Sequence, residues 1–486
     1  MPAATTLSSA PFLTIPATMA DLQLAIRNLF RNRRRSASTL IALAIGLTAV
    51  LLFSGFKANL GATMLTAVVR AGGHLQVQHR DYYLFGGGNP GAFGITGYTD
   101  LINTIKNDPV LGPMATVVTP MMRFGGLAGN FDAGITRTVI GSGYLAADVS
   151  KMRQWNEFGV PVLRPSFPLE GTAPDSAIVG IGVARVLQLC APLKIADCPS
   201  PAKPTLTKPA GPARALPSDI ADLALSEQAA SPAKGSTGAR LELLSSSSRG
   251  APNVASLNVV AAEDQVFKEL DEVAVLVHLG HAQRLVFGRG APQTTAIMVL
   301  LAHSDDLAPA TTRLQDIVDK AKGDQPLVVR SFVELNPFYA QSEKLFDFIF
   351  GFIFVLIGGI VLFTVSNTMN TAVVERTVEV GTLRAIGVRQ SGIRRLFMLE
   401  GFLLGSLGAA GGLVVAVVLG ELVNHSGLTW LPPGSSEHLP LQLRVLGNGL
   451  VVLGTSLSLV ATATLSAWWP AWRAANLNIV EALRHA

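Results

Sequence analysis

Four stretches of this chain run the length of a membrane crossing without a charged residue, and their placement is lopsided. They lie between Arg35 and Lys57, Asp347 and Glu375, Glu400 and Glu421, and Arg444 and Arg473, about 21, 27, 20 and 28 residues long. A helix of about 20 apolar residues crosses the hydrocarbon core. Buried helices of soluble proteins rarely run so far without a charge, so each run predicts a transmembrane helix. One run stands near the N-terminus and three stand in the last third, with roughly 290 residues between the first and second. The one-plus-three spacing predicts an α-helical membrane protein with four transmembrane helices and a large α+β domain inserted between the first and second.

Charge sets the orientation. Only 15% of residues are charged and 49% are hydrophobic, whereas soluble domains carry nearer a quarter charged residues. The net charge of +5 is no nucleic-acid footprint, because the basic residues flank the apolar runs. Arg27, Arg31, Arg33, Arg34 and Arg35 precede the first run; Arg376, Arg384, Arg389, Arg394 and Arg395 separate the second from the third; Arg473 and Arg484 follow the fourth. Positive residues stay on the cytoplasmic side. Both termini and the second-to-third loop are therefore expected inside, and the large domain and the short third-to-fourth loop outside. The first run lacks the early apolar core and cleavage site of a signal peptide and reads as a retained anchor.

These signals divide the chain. Residues 1–35 form a cytoplasmic segment with an amphipathic helix, 36–58 the first span, and 59–342 the outer domain, with a low-complexity insertion at 199–238. Residues 343–371 form the second span, 372–394 a cytoplasmic coupling loop, 395–423 the third span, 424–444 a short outer loop, 445–470 the fourth span and 471–486 a cytoplasmic tail. In the first segment Leu22, Ile26, Leu29 and Phe30 share one helical face, as in a helix lying on the inner membrane surface, and Thr18 is a weak capping candidate. In the outer domain, Arg240–Leu244 and Ala255–Val260 read as a hairpin, Glu272–Val277 and Thr295–Leu301 as strands, and His281–Phe287 and Leu307–Ala321 as helices. The insertion is rich in Pro, Ala, Ser and Lys and cannot bury enough apolar area to fold alone.

Enzyme signatures are absent. Lys234-Gly235-Ser236-Thr237 has the wrong order for a phosphate loop, and no H-E-x-x-H occurs. His278 and His281 have no carboxylate or thiol at metal-ligand spacing. Gly86-Gly87-Gly88 follows Tyr82, Tyr83 and Phe85 and reads as an irregular loop, with neither strand before nor helix after it. The two cysteines, Cys190 and Cys198, both fall in the outer domain. Nearby cysteines in an oxidising compartment pair readily; two separate small core residues are the other reading.

The spans hold glycine in place of charge. Gly401, Gly405, Gly408 and Gly412 recur at small-residue spacing, which lets helices approach closely. Intramembrane charges, the mark of an ion path, are missing between the bounding residues. In the second-to-third loop, Glu375-Arg376-Thr377-Val378-Glu379-Val380-Gly381-Thr382-Leu383-Arg384-Ala385-Ile386-Gly387 predicts a short amphipathic helix ending at a glycine cap. It suits docking of a cytoplasmic partner.

That loop resembles the cytoplasmic signature of ABC-transporter permeases of the macrolide-exporter and lipoprotein-releasing type. The tail from Pro470 to Arg484 resembles the family's closing motif, with Ile479 where a proline is usual. The Arg-rich N-terminal helix, the one-plus-three layout and the stretch from Asn253 to Glu272 agree, covering the first 60 residues, the last 140 or so and part of the outer domain. The 199–238 insertion departs from the pattern.

The resemblance implies a mechanism. The chain would be a non-catalytic subunit without a cofactor of its own; ATP and Mg would bind a separate cytoplasmic ABC ATPase, present in two copies. A second permease chain, identical or paralogous, would pair with it in the bacterial inner membrane. Glu375, Arg376, Glu379, Gly381, Leu383, Arg384 and Gly387 would couple to the ATPase. Nucleotide-driven closure would move the periplasmic domain and drive lipoprotein release or export of a hydrophobic compound or peptide. Membrane lipid surrounds the spans, and a periplasmic adaptor or carrier is compatible with the scheme. Two alternatives stay open: a transmembrane regulator of a cell-wall hydrolase, and an envelope receptor that needs no ATPase.

Overall fold

The charge-free runs become long helices in the computed structural model, which describes residues 17–131, 133–161, 165–195, 239–248, 250–265, 268–321, 323–431 and 438–480. The 199–238 insertion, Cys198 and the last residues of the tail motif lie outside this set. The chain divides into two units, one of residues 1–62, 341–430 and 440–486, the other of residues 63–340 and 431–439.

The first unit opens with α1 (Ala17–Arg31) and α2 (Arg33–Gly72). Thr18 falls inside the first turn of α1. Ala25 is buried, while Leu22, Ile26 and Phe30 of the expected apolar face are exposed. That is the pattern of a helix with one edge on protein and an apolar face left for another medium.

The second unit is built on nine strands: β1 (Leu75–His79), β2 (Ala115–Asn130), β3 (Ile135–Tyr144), β4 (Ser176–Gly180), β5 (Ala239–Ser246), β6 (Pro252–Glu263), β7 (Ala274–His278), β8 (Ala296–Leu301) and β9 (Leu327–Ser331). Their order is β3-β7-β4-β6-β5-β2-β8-β1-β9, and β3 also pairs with β2. That extra pairing closes six strands into a ring, with β3–β7 and β4–β6 parallel. β2 belongs to both parts: Ala115–Met121 pairs with β8, and Met121–Asn130 pairs with β3. Side chains alternate along the ring strands. Leu241 and Leu243 of β5 point inward with Phe124 of β2, Leu257 of β6 and Val275 of β7. Gly141 must lack a side chain, because a Cβ there would lie 2.0 Å from the Phe124 ring.

Helices α3 (Tyr98–Lys106), α4 (Leu279–Phe287) and α5 (Leu307–Ala321) cover this framework. Ile105 of α3 and Leu314 of α5 pack on Val77 and Val299 at one face of the β8-β1-β9 sheet. Met298, Trp155 and Phe332 fill the other face. β8, with both faces covered, reads as a continuous apolar run. The expected strands at residues 240, 255, 272 and 295 and the helix at 281 form with ends displaced by at most three residues, and the helix Leu307–Ala321 forms with the expected bounds. β2 extends well past the buried apolar residues Val117 and Val118 near its start. Gly125, Gly126 and Gly129 weaken its local strand signal, and non-local pairing on both edges supplies what propensity does not.

The first unit resumes with α6 (Pro337–Glu375), α7 (Thr377–Ala385), α8 (Gln390–His425), α9 (Gly449–Ser466) and α10 (Trp468–Ala475). Among the described residues four helices are long and apolar enough to cross a membrane: α2, α6, α8 and the α9–α10 pair. The fourth helix begins at Gly449, with the Asn448 side chain accepting from the Val451 amide at 3.2 Å. The glycines of α8 sit where helices touch. A Cβ at Gly401 or Gly405 would lie 2.7 or 2.9 Å from the Cβ of Ala467 or Ala463; one at Gly408 or Gly412 would lie 2.6 or 2.9 Å from the Cβ of Leu43 or Leu47.

Candidate coupling site

Between the two longest apolar helices of the C-terminal part, α6 and α8, the chain makes one short helix. α7 starts after a break at Arg376 and stops at Gly387. Gly387 has φ +103°, which a side chain strains. Its amide donates to the Arg384 carbonyl at 3.1 Å, and the Val388 amide donates to the Leu383 carbonyl at 3.0 Å. That pair of bonds is a glycine-dependent helix stop, so the loop turns where the sequence predicts.

The charged side chains of the loop turn toward their own chain. Glu375 accepts from Arg35 at 2.8 Å and from Asn32 at 3.2 Å. Glu379 pairs with Arg31 at 2.7 Å. The hydrogen bond that Arg31 donates to Glu379 holds its guanidinium above its ordinary, already high, pKa. Arg35 also donates to the Thr368 carbonyl. Arg376 donates to Glu400 at 2.8 Å and to the Asn28 carbonyl at 3.2 Å. Arg384 reaches the Ala475 carbonyl at the end of α10 at 3.0 Å, while Gly381 is buried and Leu383 packs into the helical core. Of the seven residues singled out in the sequence, only Gly387 is exposed without such a contact in the structure.

What α7 leaves open is mostly apolar, apart from Thr382 and the half-exposed Glu379. Val378, Thr382, Ala385 and Ile386 are exposed on its outer side, Val378 at 37% and Ile386 at 74%. Sequence reading missed two members of the polar cluster. Asn28 sits on α1 among arginines, and Glu400 marks the edge of an apolar run. The signal for Glu400 was its setting: a lone carboxylate with Leu396–Leu399 before it and Phe402–Leu404 after it belongs to the helix. Elsewhere, His278 lies 3.0 Å from the Thr172 hydroxyl. Among the described residues no group of three or more His, Cys, Asp and Glu side chains is placed to hold a metal ion.

Residues 348–479, from α6 to just past α10, match the family model described as FtsX-like permease C-terminal. The chain is 24% identical over 227 residues to the lipoprotein-releasing system transmembrane protein LolC of Xylella fastidiosa, covering 45% of this chain and 52% of that one. It is 34% identical over 137 residues to the ABC transporter permease YtrF of Bacillus subtilis, 28% of this chain and 30% of that one. It is 26% identical over 204 residues to the macrolide export ATP-binding/permease protein MacB of Psychrobacter cryohalolentis, 40% of this chain and 27% of that one. The matches thus span about half of the lipoprotein-releasing relative and less of the other two. With α7 and its flanking helices inside the matched region, residues 348–479 form an FtsX-like permease C-terminal domain, similar to those of macrolide-export and lipoprotein-releasing ABC transporter permeases.

Proposed function

We propose that this chain is the non-catalytic membrane subunit of an ABC transporter, docking a separate cytoplasmic ATPase on the outer side of α7. One observation carries the reading: a short helix between two spans pairs its charges with its own chain and exposes an apolar ridge of Val378, Ala385 and Ile386. Such a ridge at the Arg-rich end of a membrane bundle fits a protein groove better than water. ATP and Mg bind the partner, in two copies, beneath a pair of permease chains. Both termini lie in the cytoplasm and the β-rich unit lies outside the inner membrane. Closure of the ATPases displaces α7, and the glycine-packed helices carry that displacement to the β-rich unit. The cargo is a lipoprotein or another hydrophobic compound or peptide, released from the membrane or exported through the periplasm.

Co-purification tests the docking. A tagged chain solubilised from native membranes captures a nucleotide-hydrolysing subunit. Val378→Asp with Ile386→Asp lowers capture about tenfold or more, as expected for charges placed in an apolar contact. Capture of no such subunit by the wild-type chain contradicts the proposal and leaves the regulator and receptor readings.

A further inference from the structure

We propose that Glu400 is the positioning residue of the coupling apparatus, tying α7 to α1 so that the two move as one body on α8. The inference rests on the docking role of α7. Its own ground is a closed circuit of bonds. Glu400 Oε1 accepts from Asn28 Nδ2 of α1 at 2.6 Å and from Arg376 Nη1, at the α6–α7 break, at 2.8 Å. Arg376 then donates its Nη2 hydrogen to the backbone carbonyl of Asn28 at 3.2 Å. One buried carboxylate thereby joins segments separated by 372 and 24 positions in the chain.

Apolar packing alone could hold these helices together, since a buried ion pair adds little net stability over well-packed hydrophobic residues. What the circuit adds is direction. Its three bonds are satisfied in one mutual placement of α1, α7 and α8, and a slide of any member breaks at least one. Of the outer pairs, Arg31–Glu379 bridges α1 and α7 while Arg35–Glu375 bridges α2 and the end of α6, and both carboxylates are half exposed and screened by water. The fixed point is Glu400. It makes α1 a second arm of the coupling element, although α1 is remote in sequence from the loop that docks the ATPase.

The full-length chain with its captured ATPase in lipid nanodiscs tests this. Spin labels replace exposed Leu24 on α1 and exposed Val374 at the end of α6, and pulsed electron resonance reads their separation with and without ATP and vanadate. In the otherwise native chain the separation is narrow and constant through the cycle. Glu400→Ala broadens it about twofold and lowers the stimulation of ATP hydrolysis by the permease roughly tenfold, the size of a typical coupling, while the ATPase still co-purifies. Glu400→Arg with Arg376→Glu restores both. An unchanged distribution or unchanged stimulation in Glu400→Ala overturns the proposal; so does loss of ATPase capture together with stimulation, which assigns Glu400 to folding. A wild-type chain that captures no ATPase overturns the docking reading beneath it, and that failure is recognised because it precedes any substitution.

Discussion

Arg376 and Glu400 face each other at 2.8 Å with side chains only 11% and 4% exposed. A buried pair of this kind is weak net stabilisation but a severe loss when halved. Arg376→Ala leaves the carboxylate unpaired, and thermal unfolding in detergent should show a loss of about 3–5 kcal/mol. Replacing both residues with Met and Leu should cost far less. Equal losses in the single and double variants would mean that the pair is not the source.

The α8 glycines predict a graded series. Gly408→Ala brings a methyl to within 2.6 Å of Leu43 Cβ, and Gly405→Ala to within 2.9 Å of Ala463 Cβ. Each should cost about 1–3 kcal/mol through overpacking. Gly411→Ala, on the same helix, meets only Ala44 Cβ at 3.8 Å and should be neutral or stabilising. Melting temperatures of the three variants in one detergent check the order.

His74 makes the β-rich unit sensitive to acid. Its ring is fully buried beside Trp155 and Phe332. The Leu301 amide donates to its Nδ1 at 3.1 Å, and its Nε2 lies 3.2 Å from the Ser304 hydroxyl. Burial lowers its pKa from 6.5 to about 4, against the opposing charge of Glu157. Between those values the unfolded chain holds the extra proton, so stability present at neutral pH is lost as pH falls, up to roughly 3 kcal/mol. Hydrogen exchange at the β1 and β8 amides should accelerate from pH 6.5 down to pH 4, after correction for intrinsic rates. His74→Gln should flatten that dependence.

Cys190 begins a short helix, Cys190–Leu193, and among the described residues no cysteine is free. We expect a bond to Cys198. Peptide mapping without reductant should recover the two residues linked, and reduction should cost about 2–3 kcal/mol for so short a loop. Two unlinked thiols in protein from native membranes would contradict it.

The four long apolar helices are legible in the sequence because each run has the length and polarity of a membrane crossing, which no partner is needed to explain. The same holds for β8, whose run Ala296–Leu301 is apolar on both faces, and for the end of α7, where only glycine suits the backbone. Other features depend on distant residues and leave little local trace. The second half of β2 is glycine-rich and is a strand because β3 and β5 pair with it. Glu400 reads as a boundary until Asn28 and Arg376 are brought beside it. The charges of α7 suggest outward docking in sequence, whereas the structure pairs them with α1, α2, α8 and the end of α10 and leaves the apolar residues outside.

Accessibility labelling tests the central claim most directly. In a chain with both native cysteines replaced by serine, single cysteines are placed at exposed Phe131 in the β-rich unit and at exposed Thr382 on α7. A membrane-impermeant maleimide added to intact spheroplasts should label position 131 at once and position 382 only after permeabilisation. Labelling of 382 but not 131 before permeabilisation would place the β-rich unit on the nucleotide side and contradict the account.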